Sequence, residues 1–177
     1  MICAALLAGG IGTRLDVGMP KQFYLIADKP ILIHSLEAFL KVEEMDEIIV
    51  SSPKECIDKT KDVIKEYELT DPRITVIEGG KRRSDTILNS INYTLENDYP
   101  KDSIMVTHDA ARIFVTPKLI KDSIRYAKQY GAASAVIPAT DVIFESKKDG
   151  ILTDVPDRQY LLQSQTPQSF NINHYIE

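Results

Sequence analysis

Leu7-Ala8-Gly9-Gly10-Ile11-Gly12-Thr13-Arg14 and, soon after it, Pro20-Lys21-Gln22-Phe23 are residue types that suit a triphosphate. Glycine carries no Cβ, so backbone N–H groups in such a turn can come close to an anion. Arg14 and Lys21 place two cations within reach of whatever those amides hold. Two well-known phosphate loops are excluded. A dinucleotide fingerprint needs a glycine where Leu15 stands, and no Gly-Lys-Ser/Thr closes the stretch as a Walker loop requires. An ordinary glycine-rich strand-to-helix turn competes for the glycines alone; the two cations favour phosphate binding.

Gly79-Gly80-Lys81-Arg82-Arg83-Ser84-Asp85-Thr86 is a second candidate. Gly80 permits close approach, and a following helix start offers unpaired N–H groups at a positive dipole end. Arg83 and Thr86, three apart, fall on one side of that helix and are the favoured ligand contacts. Lys81 and Arg82 read equally well as a solvated helix start, with Asp85 as a first-turn acid. A third is Thr107-His108-Asp109-Ala110-Ala111-Arg112. Asp109 can hold sugar hydroxyls or, as a weak candidate, a divalent ion, and Arg112 can grip a phosphate through two parallel bonds. An Asp–Arg pair that merely fixes its own loop remains an equal alternative. His108 is not needed as a base where the nucleophile is a phosphate already ionised; like His34 and His174 it reads as structural. In the last segment, Arg158 and Thr166 suit contacts to a second, phosphorylated substrate, although Gln163–Phe170 alone would read as an edge strand with polar ends.

The elements that must position these residues alternate. Apolar runs predict strands over 1–7, 47–51, 73–78, 103–107 and 132–138. Helices are expected over 30–41, 53–67, 82–97 and 117–130, the last closed by Gly131. That alternation implies a three-layer α/β fold with a mostly parallel twisted sheet and helices on both faces. Ligands of such sheets bind beyond the carboxyl ends of the strands, where all three turns lie. The polar stretches 141–146 and 151–155, around Asp149-Gly150, predict a projecting hairpin, an arm over about 139–160 suited to pairing with a second subunit.

The 177 residues fit one domain, able to bury roughly 70% of its unfolded surface. A net charge of −5 argues against a general nucleic-acid binder. The two cysteines have no disulfide or metal-site spacing and are expected to be packed thiols, Cys3 in a strand and Cys56 in a helix. No leader sequence or membrane-length apolar run is evident, so a cytoplasmic protein without membrane partners is expected.

Taken in order, Leu-x-Ala-Gly-Gly-x-Gly-x-Arg, Pro-Lys-Gln-Phe, Gly-Gly-x-x-Arg-x-Asp-Thr, His-Asp-Ala-Ala-Arg and Gln-Thr-Pro-Gln-Ser-Phe closely resemble the cytidylyltransferases of 2-C-methyl-D-erythritol 4-phosphate and ribitol 5-phosphate. Leu-Ala-Gly-Gly, Met-Pro-Lys-Gln-Phe and Gln-Thr-Pro-Gln-Ser-Phe-Asn-Ile-Asn look closer to the ribitol branch. The resemblance implies a Rossmann-like nucleotidyltransferase fold and attack of a polyol phosphate on the α-phosphorus of CTP. CDP-polyol, expected to be CDP-ribitol for wall polymer precursors, and pyrophosphate would result. It implies Arg14 and Lys21 as catalytic cations, and Leu7, Ala8, Gly9, Gly10, Gly12, Gly80, Arg83 and Thr86 as nucleotide contacts. Asp109, Arg112, Thr166 and, from a partner's arm in a homodimer, Arg158 would face the polyol phosphate. Magnesium (Mg2+) would ride mainly on the CTP phosphates. Alternatives are methylerythritol phosphate as substrate in isoprenoid synthesis, a nucleotide-binding module without turnover, and a pyrophosphorylase using UTP or GTP. Three departures stand out: Ile113 in place of proline, Val142 in place of a substrate-contacting threonine, and the expected absence after Glu177 of a further family segment.

Overall fold

The computed structural model describes residues 1–9, 19–147 and 150–176. Strand β1 (Ile2–Leu7) is followed by a one-turn 3-10 helix (Lys21–Phe23) and a tight hairpin, β2 (Leu25–Ile26) and β3 (Lys29–Pro30). Then come α1 (Ile31–Leu40), β4 (Glu47–Ser52), a 3-10 turn (Lys54–Cys56), α2 (Ile57–Glu66), β5 (Ile74–Glu78) and α3 (Arg83–Glu96). The rest is β6 (Ile104–Asp109), α4 (Pro117–Tyr130), β7 (Ala132–Pro138), β8 (Glu145–Ser146), β9 (Leu152–Asp154), a 3-10 turn (Arg158–Tyr160), β10 (Leu162–Asn171) and α5 (Asn173–Ile176).

Six strands make one sheet in the order β5-β4-β1-β6-β10-β7. Neighbours run parallel from β5 to β6; β10 pairs antiparallel with both β6 and β7. The mostly parallel α/β sheet expected from the alternation is present. Because β1 is covered on both faces, its side chains alternate between two cores. Ile2, Ala4 and Leu6 join the apolar faces of α1, α2 and α4, while Cys3 and Ala5 meet Ile49, Met105 and the α3 residues Ile87 and Ile91. Strands buried on both faces read as continuous apolar runs, which is why β1, β4 and β6 were legible.

Local chemistry sets the helix ends. Thr116 caps α4, its hydroxyl oxygen accepting the Leu119 N–H at 3.2 Å, and Pro117 occupies the first helical position, where its missing N–H costs nothing. At the other end Gly131 takes φ +86°, a conformation that favours glycine, and a Cβ there would meet the His174 ring at 2.8 Å.

Strand β10 is interior only in part: 168–171 lies between β6 and β7, whereas among the described residues 162–164 pairs with β7 alone, and the register shifts between Ser164 and Gln168. Two expectations are corrected. Helix α2 begins at Ile57 rather than at Pro53, because Pro53 is extended (ψ 146°) and a 3-10 turn intervenes; Cys56 therefore lies in that turn. The arm's strands shrink to β8 and β9, whose register shifts and which pair only with each other. The arm's tip, 148–149, lies outside the described residues. Both thiols are unbridged and buried; burial pushes Cys3 up to about 12 and Cys56 upward as well.

Candidate active site

The carboxyl ends of β1, β4 and β6 are laced together before any side chain acts. Ala8 N–H donates to the Ser51 carbonyl at 2.9 Å, Ala110 N–H to Leu7 at 3.2 Å and Gly79 N–H to Ser52 at 2.8 Å. These bonds bring all three sequence turns to one cleft of about 440 Å³. Leu7, Ala8 and Gly9 form one wall, Gly80, Arg83 and Thr86 another, and Asp109 and Ala110 a third, with Lys21 at the rim. Lys21 sits on its own 3-10 turn, and among the described residues its ammonium has no ion-pair partner. Gly10, Gly12 and Arg14 lie outside the described residues.

On the second wall, Gly80 is required by space. A Cβ there would lie 2.3 Å from the Asp85 Cβ and 2.8 Å from the Thr86 nitrogen, so the chain could not fold back onto the start of α3. Thr86 holds this turn closed, its buried hydroxyl oxygen accepting the Gly80 N–H at 2.9 Å. Asp85 accepts the Arg82 N–H at 3.1 Å and pairs with the Arg82 guanidinium, whose hydrogen bond holds its carboxyl below the usual range. Asp85 is thus the first-turn acid expected, and Arg82 is its exposed partner while also, with Lys81, lining the cleft.

On the opposite wall the Asp109 carboxylate sits between two guanidiniums. Arg83 Nε lies 3.3 Å from one oxygen and Arg112 Nε 3.2 Å from the other. Arg83 also donates to the Gln168 side chain at 2.8 Å, and Arg112 donates to the Gln165 side chain. Arg83 therefore reaches from the start of α3 to the far wall, and of the two readings of Asp109 and Arg112 the loop-fixing pair is formed. Among the described residues no group of three or more His, Cys, Asp or Glu could hold a metal ion. With both oxygens facing guanidiniums, Asp109 does not fit as a magnesium ligand in this arrangement.

Thr166 is buried on β10 beside His108 and lines a neighbouring groove of about 680 Å³ between α4 and β7. Arg112 and Gln165 line the same groove. Arg158 does not line the cleft of its own chain; it donates to the Thr140 carbonyl at 2.9 Å at the base of the arm. Burial pushes His108 down to about 4, against the opposing pull of its bond to the Arg112 carbonyl and of the Asp109 charge. His108 is neutral and packed beside the Phe39 ring, as a structural histidine should be.

Sequence reasoning gave no role to Gln22, Gln165 or Gln168. The last two orient the arginines, and both stand in the Gln-Thr-Pro-Gln motif. Gln22 is 3% exposed and lines the cleft, and among the described residues neither polar atom of its carboxamide has a partner.

Solved structures share this fold. A 4-diphosphocytidyl-2C-methyl-D-erythritol synthase from Anaerococcus prevotii DSM 20548 is 23% identical, with a TM-score of 0.80 over 98% of this chain and 72% of its own. A 2-C-methyl-D-erythritol 4-phosphate cytidylyltransferase from Francisella tularensis is 24% identical, with a TM-score of 0.76 over 97% of this chain and 73% of its own. The ribitol branch, towards which the Leu-Ala-Gly-Gly and Met-Pro-Lys-Gln-Phe motifs leaned, finds no support in these likenesses. The sequence model of IspD, 2-C-methyl-D-erythritol 4-phosphate cytidylyltransferase, matches residues 2–176, and with its phosphate-suited turns gathered in one cleft the chain belongs to that family of CTP-dependent nucleotidyltransferases.

Proposed function

We propose that this chain joins CTP to 2-C-methyl-D-erythritol 4-phosphate, releasing pyrophosphate, rather than making CDP-ribitol. The observation that carries this reading is the family match over residues 2–176, together with a cleft that gathers Leu7, Gly80 and Asp109 from three separate strand ends, with Lys21 beside them. A phosphate oxygen of the polyol phosphate attacks the α-phosphorus of CTP, and the bond to the β-phosphate oxygen breaks. Charge builds on the non-bridging oxygens, so fixed cations rather than a proton acceptor lower the barrier. Lys21 supplies one such cation and Arg14 is the expected second. The Leu7–Gly9 backbone, Gly10, Gly12, Gly80 and the closed turn behind Thr86 hold the nucleotide. Arg83, which links the two walls, aligns Asp109 and Arg112 for the second substrate, with Thr166 behind them. Magnesium would be carried by the triphosphate, offsetting its charge.

Residues 1–177 act as one nucleotidyltransferase domain, and the arm pairs two copies. Val142, Ile143, Phe144, Leu152 and Val155 on the arm are all at least 40% exposed, an apolar surface that a second copy would cover and that would bring its Arg158 toward the cleft.

The test is direct. The purified chain, CTP and magnesium are incubated with methylerythritol 4-phosphate or with ribitol 5-phosphate, and the cytidylyl product is weighed by mass spectrometry. Product from methylerythritol 4-phosphate at a kcat/KM at least about 100-fold above ribitol 5-phosphate is expected. Preference for ribitol 5-phosphate would overturn the substrate assignment, and CTP binding without product from either would overturn the activity.

A further inference from the structure

His108 is fully buried, yet it touches both ends of the substrate-facing turn. Its Nε2 lies 3.2 Å from the Arg112 carbonyl and its Nδ1 lies 2.9 Å from the Thr166 hydroxyl. The Asp109 N–H in turn donates to that hydroxyl oxygen at 3.3 Å. Each contact has only one permissible direction. A carbonyl only accepts, so Nε2 carries the proton. A neutral ring then leaves Nδ1 bare, so the Thr166 hydroxyl donates to it while accepting from Asp109. One relay runs from the Asp109 N–H through Thr166 and the imidazole to the Arg112 carbonyl, spanning β10 and both ends of the turn.

We propose that His108 is a positioning residue for the polyol phosphate, acting as the neutral Nε2–H tautomer that locks the Asp109–Arg112 turn against Thr166. The inference rests on the reading that this turn faces the polyol phosphate. Being buried, the ring does not touch substrate; it acts through Asp109, Arg112 and Thr166. The Arg112 carbonyl also accepts the Val115 N–H at 3.3 Å, and the Arg112 N–H donates to Asp109 at 2.9 Å, so the ring closes a turn already drawn tight. Phe39 packs beside the ring at 5.3 Å between centroids, tilted at 44°. The relay also fixes what Thr166 can offer. With its proton committed to Nδ1, the hydroxyl presents only a lone pair, which suits a polyol hydroxyl and not a phosphate oxygen.

Two measurements test this on the full chain. The first is the ring 15N spectrum at neutral pH without ligand, with His108 assigned by its loss in His108→Gln. A protonated Nε2 and a bare Nδ1 are expected, and Thr166→Val should move the Nδ1 signal while leaving Nε2 in place. A protonated Nδ1, or no response to Thr166→Val, would overturn the relay.

The second measurement is steady-state kinetics. His108→Phe should raise KM for methylerythritol 4-phosphate about tenfold and leave KM for CTP within about twofold. His108→Gln can still donate to the Arg112 carbonyl and should recover at least about threefold of that loss. Equal rises in both KM values, or no recovery by glutamine, would overturn the positioning role. Should His108→Phe fail to fold, the Thr166→Val spectrum and the His108→Gln split still decide. A chain with no turnover at all would break the substrate reading alone, because the ring spectrum needs no substrate.

Discussion

The middle of the central sheet and its β7 edge obey different rules. In β4 all six residues are buried, and in β1 all but Leu7. In β7 no residue is buried, and Val136 and Ile137 are 43% and 47% exposed. The parallel half presents backbone to the cleft: strand-end amides, the Gly79-Gly80 turn, and Lys21 from a short 3-10 helix. β10 contributes side chains, the Gln165 and Gln168 carboxamides and the Thr166 hydroxyl, which meet Arg112, Arg83 and His108 brought from the parallel half. Nucleotide phosphates are common to a whole class of reactions and can be held by main chain set in a rigid core. On the proposed function, discrimination of the polyol would fall to the side chains, which can vary without disturbing that core.

The sharpest way to break this contrast is to cut one methyl-rich side chain from each half. Ile49→Ala, in β4 and wholly buried, should cost ~2–5 kcal/mol in urea unfolding, whereas Ile137→Ala in β7 should cost less than ~1 kcal/mol. Equal costs would mean that β7 is covered in solution. Next in size is Lys21→Ala, expected to lower kcat by roughly 10²–10³ while shifting Tm by no more than about 2 °C. Unchanged turnover would remove Lys21 from the chemistry and leave the parallel half a passive cradle.

The third sharpening is a pH titration of stability. The folded-state value of His108 is depressed to about 4, so between about 6.5 and 4 the unfolded chain takes up a proton that the folded chain refuses. Stability should therefore fall as the pH drops through that window, by roughly 3 kcal/mol when it has been crossed. Asp71, held low first by its hydrogen bond from Arg73, adds a loss of the same sign at lower pH. Unfolding curves of the unsubstituted chain and His108→Gln should converge as the pH falls; parallel curves would show that His108 is not neutral when folded.

Much of this was legible, for identifiable reasons. The strands β1, β4 and β6 and the helix α3 came from apolar patterning, and Gly131 marked the end of α4. The convergence of Leu7, Gly80 and Asp109 followed from their places at the carboxyl ends of strands alternating with helices. The β2–β3 hairpin was not legible: its turn puts Ala27 and Asp28 at φ 49° and 59° without the Asn-Gly or Gly signal such turns usually carry. The interior place of 168–171 was hidden because the polar run from Gln163 to Gln168 reads as a wet edge. Two polar groups of β10 meet partners brought from far along the chain: Arg83 to Gln168 spans 85 residues and Thr166 to His108 spans 58. Periodicity reports which face is apolar, not which distant partner satisfies a polar one.

The two sulfur atoms supply a pair of stopwatches. A thiol reagent attacks thiolate, and Cys3 and Cys56 are both shielded and both pushed away from ionisation. Alkylation of the native chain must therefore wait for the molecule to open. Cys3 lies between β4 and β6, so its clock runs only when the middle of the sheet separates. Cys56 lies in a three-residue turn, and its clock runs whenever that corner frays. The ratio of the two labelling rates, read as mass against time, would show how far the middle of the sheet outlasts its margin.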